Sequence, residues 1–102
     1  MVIAEVSIIP LGTGSPSVSQ YVAAAVRELE ASGLQCTLGP MGTTVEAASP
    51  EEVYAAVARA QAAVFEAGVQ RAYTVIKMDE RRDVEGRSAE DMVRMVRSVR
   101  GR

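Results

Sequence analysis

A chain of 102 residues, 48% hydrophobic and 24% charged, has the size and make-up of one globular domain, here read as residues 1–102. It contains no histidine and a single cysteine, which removes the commonest general base near neutral pH, an internal disulfide and any multi-cysteine metal site. No apolar run reaches transmembrane length and the first residues do not resemble a secretory leader, so a soluble cytoplasmic protein without membrane partners is expected.

In chain order, Val2 to Ile9 is rich in β-branched residues and reads as a strand, ended by Pro10 and the loop Leu11-Gly12-Thr13-Gly14-Ser15-Pro16-Ser17. Ser17 and Gln20 fit a capping box for a first helix, whose apolar stripe is Val18, Val22, Ala25, Val26 and Leu29 and whose end is Gly33. Leu34, Cys36 and Leu38 alternate with polar residues as a second strand, Gly39-Pro40-Met41-Gly42 turns the chain, and Thr43 to Ala48 form a third. Ser49-Pro50-Glu51-Glu52 combines an N-cap serine, a proline at the first helical position and a glutamate at the third, and so starts a second helix with Val53, Val57, Ala60 and Val64 on its inner face. Gly68 ends it. Arg71 to Met78 is a fourth strand with Tyr73 and Val75 on one face and Ile76 and Met78 on the other, which predicts a central or interfacial strand covered on both sides. After the charged loop 79–87, Ser88-Ala89-Glu90-Asp91 begins a last helix carrying Met92, Val93, Val96 and Val99.

The order βαββαβ-α, with Glu30-Ala31-Ser32-Gly33-Leu34-Gln35 echoed by Glu66-Ala67-Gly68-Val69-Gln70, predicts an α+β fold of two related halves. Right-handed crossovers put both crossover helices on one face of a four-stranded antiparallel sheet, a ferredoxin-like sandwich with an additional C-terminal helix. The other face then carries Glu5, Ser7, Gln35, Thr37, Thr44 and Glu46. A domain this short leaves much of its surface exposed and gains from association with further copies. The net charge is −2, yet seven of eleven basic residues lie from Arg81 onward, where Arg94 follows Glu90 by one helical turn as on a solvated helix face.

Three places carry groups able to hold a ligand. The loop 12–17 precedes a helix N-terminus, where free N–H groups attract anions, but it lacks the lysine of a phosphate-binding loop and also fits an ordinary connection. Thr44 and Glu46 share one strand face, a hydroxyl and a carboxylate suited to an aminopyrimidine or an ammonium group, and equally to a solvated face or a salt bridge. The run Ile76 to Asp83 mixes charges densely enough to form ion pairs, and neither a nucleophile nor a histidine accompanies it.

Ile9-Pro10-Leu11-Gly12-Thr13-Gly14, Ser17-Val18-Ser19, Gly39-Pro40-Met41-Gly42-Thr43-Thr44-Val45-Glu46 and Ile76-Lys77-Met78-Asp79 with Arg81-Arg82-Asp83 resemble the small thiamine-binding proteins with a ferredoxin-like fold. The resemblance implies binding of thiamine or its hydroxymethylpyrimidine moiety by a non-catalytic carrier or sensor, without a further cofactor, in a homotetramer arranged as a dimer of dimers. It implies Glu46 as the carboxylate for the pyrimidine, Thr44, Thr43 and Ser19 as hydrogen-bonding partners, Thr13 on the adjoining loop, and Tyr21 or Tyr73 as a wall. An alternative is an oligomeric regulatory domain for another small metabolite. RNA binding on the open sheet is disfavoured because the chain has only Phe65 and three tyrosines to stack on bases, so no nucleic-acid partner is expected. No set of residues defines a reaction, and an enzyme is not expected.

Overall fold

The alternation of apolar and polar residues in the first ten positions becomes β1 (Val2–Leu11), in which Val2, Ala4, Val6, Ile8 and Pro10 are buried and the residues between them face outward. The computed structural model describes residues Met1–Gly101. The remaining elements are α1 (Ser19–Ala31), β2 (Gln35–Leu38), β3 (Thr43–Ala47), α2 (Pro50–Glu66), β4 (Arg71–Glu80) and α3 (Ala89–Arg100). They form an α+β fold with one antiparallel sheet in the order β2-β3-β1-β4, an order compatible with the ferredoxin-like arrangement.

One face of the sheet is the core. Val2, Ala4, Val6, Ile8, Val45 and Ala47 pack with Ala25 and Leu29 of α1 and with Val53, Ala56, Val57, Ala60 and Val64 of α2. The alanines among them let the two helices sit close to each other and to the strands. Ser49 caps α2 as the sequence predicts, accepting the Glu52 N–H, while the Glu52 carboxylate reaches back to the Ala48 N–H. Gly33 and Gly68, both at positive φ, turn the chain from helix to strand at the same place in the two halves.

Two local expectations are corrected. Ser17 does not cap α1: the helix begins at Ser19 with Val18 at its N-cap and no side-chain cap bond. The preceding loop bonds within itself instead, the Thr13 hydroxyl donating to the Ser15 carbonyl and the Ser15 hydroxyl accepting the Ser17 N–H, so the helix starts one residue later than a Ser17 cap would set it. Of the two positions expected for β4, central or interfacial, the central one is corrected: it is an edge strand, running to Glu80. Its inner residues Ala72, Thr74, Ile76 and Met78 are half-buried, whereas Tyr73 and Val75 lie exposed on the outer face beside Ile9 and Ser7 of β1. The charges after Ile76 make two local exposed pairs, Arg81 with Asp83 and Arg82 with Glu80.

α3 stands apart. It contributes no residue to the core, and none of its described residues is buried. The radius of gyration is 15.0 Å, against about 13 Å for a compact chain of this length, and the long axis is 47 Å. α3 is nevertheless well terminated: Ser88 and Asp91 form a reciprocal capping box, with Glu90 and Asp91 at the positive end and Arg97 and Arg100 at the negative end.

Leu29, 2% exposed, sits where α1 meets the sheet, and Leu38 is 65% exposed. Leu29→Ala is expected to cost about 2–5 kcal/mol in urea unfolding, and Leu38→Ala less than about 0.5 kcal/mol. A second expectation concerns acid. The Asp91 carboxyl is held below the usual carboxylate range, first by the Ser88 backbone N–H it accepts, then by the Ser88 hydroxyl, with Arg94 and Arg87 nearby. A lowered folded-state pKa stabilises the folded form above the unfolded value of about 3.9, and that contribution is lost as pH falls through the lower folded value. NMR shifts followed from about pH 6 to about pH 2 should show the first turn of α3 fraying before the α2 core, and Asp91→Ala should fray it at neutral pH.

Candidate ligand-binding site

β1 is paired unequally. With β4 it makes a ladder from Val2 to Leu11, but with β3 only from Val2 to Val6. From Ser7 onward its second edge has no strand neighbour, because β3 begins at Thr43 and the turn 39–42 swings away. Pro10, which has no N–H to give to a ladder, falls in this half-paired stretch. α1 closes the gap from the core side.

The result is a cleft of about 170 Å3 at one end of the sandwich. Val6, Ile8 and Pro10 of β1 form one wall and Val18, Val22, Val26 and Leu29 another, while Leu38, Pro40, Met41 and Thr43 form the rim and floor. Its surface is mostly apolar. Thr43 is the one polar residue among the described buried set, at 4% exposure, and it brings a hydroxyl to the cleft. An apolar concavity with few, fixed polar groups is the usual form of a small-molecule site.

The turn that shapes the rim is tied down twice. The Gly39 N–H donates to the Gly42 carbonyl, and the Ser7 hydroxyl donates to the Met41 carbonyl at 2.9 Å. Gly42 lies so close to β1 that a Cβ there would meet Ser7 Oγ at 2.9 Å, Glu5 Cγ at 3.0 Å and the Val6 carbonyl oxygen at 3.1 Å. Only glycine allows that approach without a shift. Met41 and Leu38, 82% and 65% exposed, stand as apolar side chains around the mouth.

The five residues that the sequence singles out fall in three places. Thr43 faces the cleft, Thr44 and Glu46 lie on the opposite, open face, and Thr13 and Ser19 border a polar depression with Ser15, Ser17 and Gln20 at the start of α1. Thr44 stands between Thr37 and Glu5, and Glu46 between Gln35 and Ile3. The Glu46 carboxylate accepts the Ala89 N–H at 3.0 Å, so it anchors the root of α3 to the sheet. Of the two tyrosines, Tyr21 packs half-buried against the core and Tyr73 stands on the open face. Sequence reasoning missed the Ser7 bond and the anchoring of α3, since both join residues more than thirty positions apart. The cleft had one legible sign, the i, i+4 pair Val22 and Val26, which reads as ordinary core stripe. Cys36 is half-buried and points at the Leu29 and Leu34 carbonyls; burial, and then Glu30, push its thiol up and away from a reactive thiolate.

A four-stranded sheet backed by two helices, with an apolar cleft at one end, defines a small α+β domain whose concavity matches a small molecule in scale. The family model for thiamine-binding proteins matches residues 4–97, and the chain belongs to that family. A UPF0045 protein of Methanothermobacter thermautotrophicus is 44% identical over 97 residues, 95% of this chain and 97% of its own. The UPF0045 protein YqgV of Bacillus subtilis is 41% identical over 81% of this chain and 83% of its own. Among solved structures, hypothetical protein MJ1052 of Methanocaldococcus jannaschii superposes with a TM-score of 0.83 at 37% identity, over 93% of this chain and 94% of its own. A Thermotoga maritima protein described provisionally as a thiamine biosynthesis/salvage protein shares the fold, with a TM-score of 0.77 at 20% identity over 93% of this chain and 97% of its own.

The close approach at Gly42 can be tested directly. Gly42→Ala is expected to lower stability by about 1–3 kcal/mol in thermal unfolding, and adding Ser7→Ala should recover only part of the loss, because the Val6 carbonyl still opposes the new methyl group. Full recovery would mean that Ser7 alone sets the approach.

Proposed function

We propose that this protein binds thiamine or its hydroxymethylpyrimidine moiety without transforming it, as a carrier or sensor, and that the pyrimidine ring occupies the cleft. The observation that carries this reading is the origin of the cleft lining. Ile9-Pro10, Val18 and Gly39 to Thr43 come from three of the segments that resemble the thiamine-binding proteins, and the fold gathers them round one cavity. The cleft's volume lies below the ~300–1,000 Å3 of sites that enclose a drug-sized molecule, so it suits one ring with the rest of the ligand outside. Thr43 then supplies a hydrogen bond to the ring edge, and the apolar walls take its faces.

Glu46 plays no direct part in this arrangement. It lies three residues beyond Thr43 on β3, about 10 Å along the strand, and on the other face of the sheet. The topology is read as ferredoxin-like with α3 added. Assembly into a dimer of dimers in the cytoplasm belongs to the same proposal, supported by the apolar side chains that the single protomer leaves exposed.

Calorimetry with thiamine, hydroxymethylpyrimidine and thiamine phosphates, applied to three proteins, tests the reading. Thr43→Val should weaken binding about tenfold, the loss of one hydrogen bond, while Glu46→Gln should leave affinity unchanged. The reverse result would move the ligand to the open face. Absence of binding to all of these compounds overturns the proposal, and mass spectrometry of small molecules released on denaturation would then show whether another metabolite takes their place.

A further inference from the structure

The cleft is lined by main chain as well as by side chains. Ser7 and Ile9 send their side chains to the open face of the sheet, yet both border the cleft, so it is the backbone of β1 that faces it there. In an antiparallel ladder the N–H and C=O of one residue point to the same edge, and successive residues alternate between the two edges. Two observations fix which residues of β1 point where. The Val6 carbonyl oxygen lies 3.1 Å from where a Gly42 Cβ would stand, so Val6 turns its peptide groups toward β3. Pro10, with no N–H to give, sits inside an unbroken ladder with β4 that runs on to Leu11, the place a ladder leaves to a proline whose nitrogen faces away from it. Even-numbered residues of β1 therefore address the β3 edge, and odd-numbered ones address β4.

Ile8 is the residue that this leaves over. Pairing with β3 ends at Val6, so the Ile8 N–H and C=O reach an edge where the cleft stands in place of a strand. Among the described residues, none donates to or accepts from either group. Ile8 is only 8% exposed, and buried peptide groups are nearly always paired. A donor and an acceptor thus stand side by side in an apolar cleft as the next rung of an interrupted ladder. Their partner must present an acceptor beside a donor, as an opposing residue would. An extended peptide does so, but a cleft of about 170 Å3 admits one ring and not a run of chain. A heterocycle with a ring nitrogen next to an amino group offers the same edge in that smaller volume.

We infer that the Ile8 peptide groups are the recognition edge of the cleft: the N–H donates to the ring nitrogen of an aminopyrimidine, and the C=O accepts from the neighbouring amino group. The inference rests on the proposed occupation of the cleft by a pyrimidine and deepens it, since it places selectivity in the main chain rather than in Thr43 alone. Thr43, opposite Val6 and so one rung away, is left for another polar atom of the ligand. The selectivity that follows is chemical. A ring that lacks the amino group, or carries it without hydrogens, leaves the Ile8 carbonyl unpaired in the cleft, and a site built to bond a group discriminates against ligands without it.

Amide NMR on the 15N-labelled full chain, with calorimetry, tests this. In the free protein the Ile8 N–H should exchange with deuterium about tenfold or more faster than those of Val6 and Ile9, which lie in ladders. Hydroxymethylpyrimidine should move the Ile8 amide proton downfield and slow its exchange, leaving Val6 and Ile9 unchanged. Two analogues, one without the amino group and one with it dimethylated, should each bind about tenfold or more weakly. An Ile8 amide already protected in the free protein overturns the inference, because it then has a partner. So does binding that leaves the Ile8 signal in place, or that treats the three compounds alike; the pyrimidine reading then stands and recognition passes to side chains. Binding of none of the three overturns the inference together with the reading on which it rests.

Discussion

The unequal pairing of β1 is the constraint from which the rest of the molecule follows. One edge is held by β4 along the whole strand, which fixes its alternation and places Val2, Ala4, Val6 and Ile8 in the core. The other edge is held by β3 for only half that length. A sheet fully paired at this point would leave no room between α1 and β1; one paired still less would leave β3 and β2 without a register. The cleft exists because pairing stops at Val6 and the chain is turned back by a tight loop at Gly42. That glycine works through close approach, since its neighbours are atoms of β1 rather than open space.

The fold was legible in the chain wherever one residue type has one structural use. β-Branched composition identified β1 and period-two alternation β2, the Ser49-Pro50 start identified α2, and Gly33 and Gly68 marked the two helix ends because both positions require positive φ. Legibility failed where two local structures compete for the same groups. Around Ser17, a serine-rich loop can cap a helix or bond within itself, and the internal bonds prevail. It failed again for β4, because apolar residues on both faces describe a strand buried by its own domain and one with an uncovered outer face equally well.

The candidate site was legible in its residues and not in its geometry. Thr43, Thr44 and Glu46 are neighbours in sequence, and a strand necessarily sends Thr43 to one side and the other two to the opposite side. Thr43 belongs to the cleft with α1, and Glu46 belongs to the root of α3. Thus a short motif can serve two purposes at once, one on each face of a sheet. Which purpose a residue has is decided by what the rest of the chain packs there, and that depends on contacts between distant positions such as Ser7 with Met41.

The capping of α3 has a kinetic meaning. A twelve-residue helix is marginal in water on its own, because the cost of its first turn is recovered only slowly as it lengthens. Here the Ser88–Asp91 box, the Glu46 carboxylate at Ala89 and the Glu90–Arg94 pair supply that first turn from within the protomer. A segment already ordered surrenders little further conformational freedom when it meets a surface. A surface that received it would therefore dock a shaped body rather than fold a segment, with a correspondingly small heat-capacity signature from ordering and a rate governed by orientation and charge.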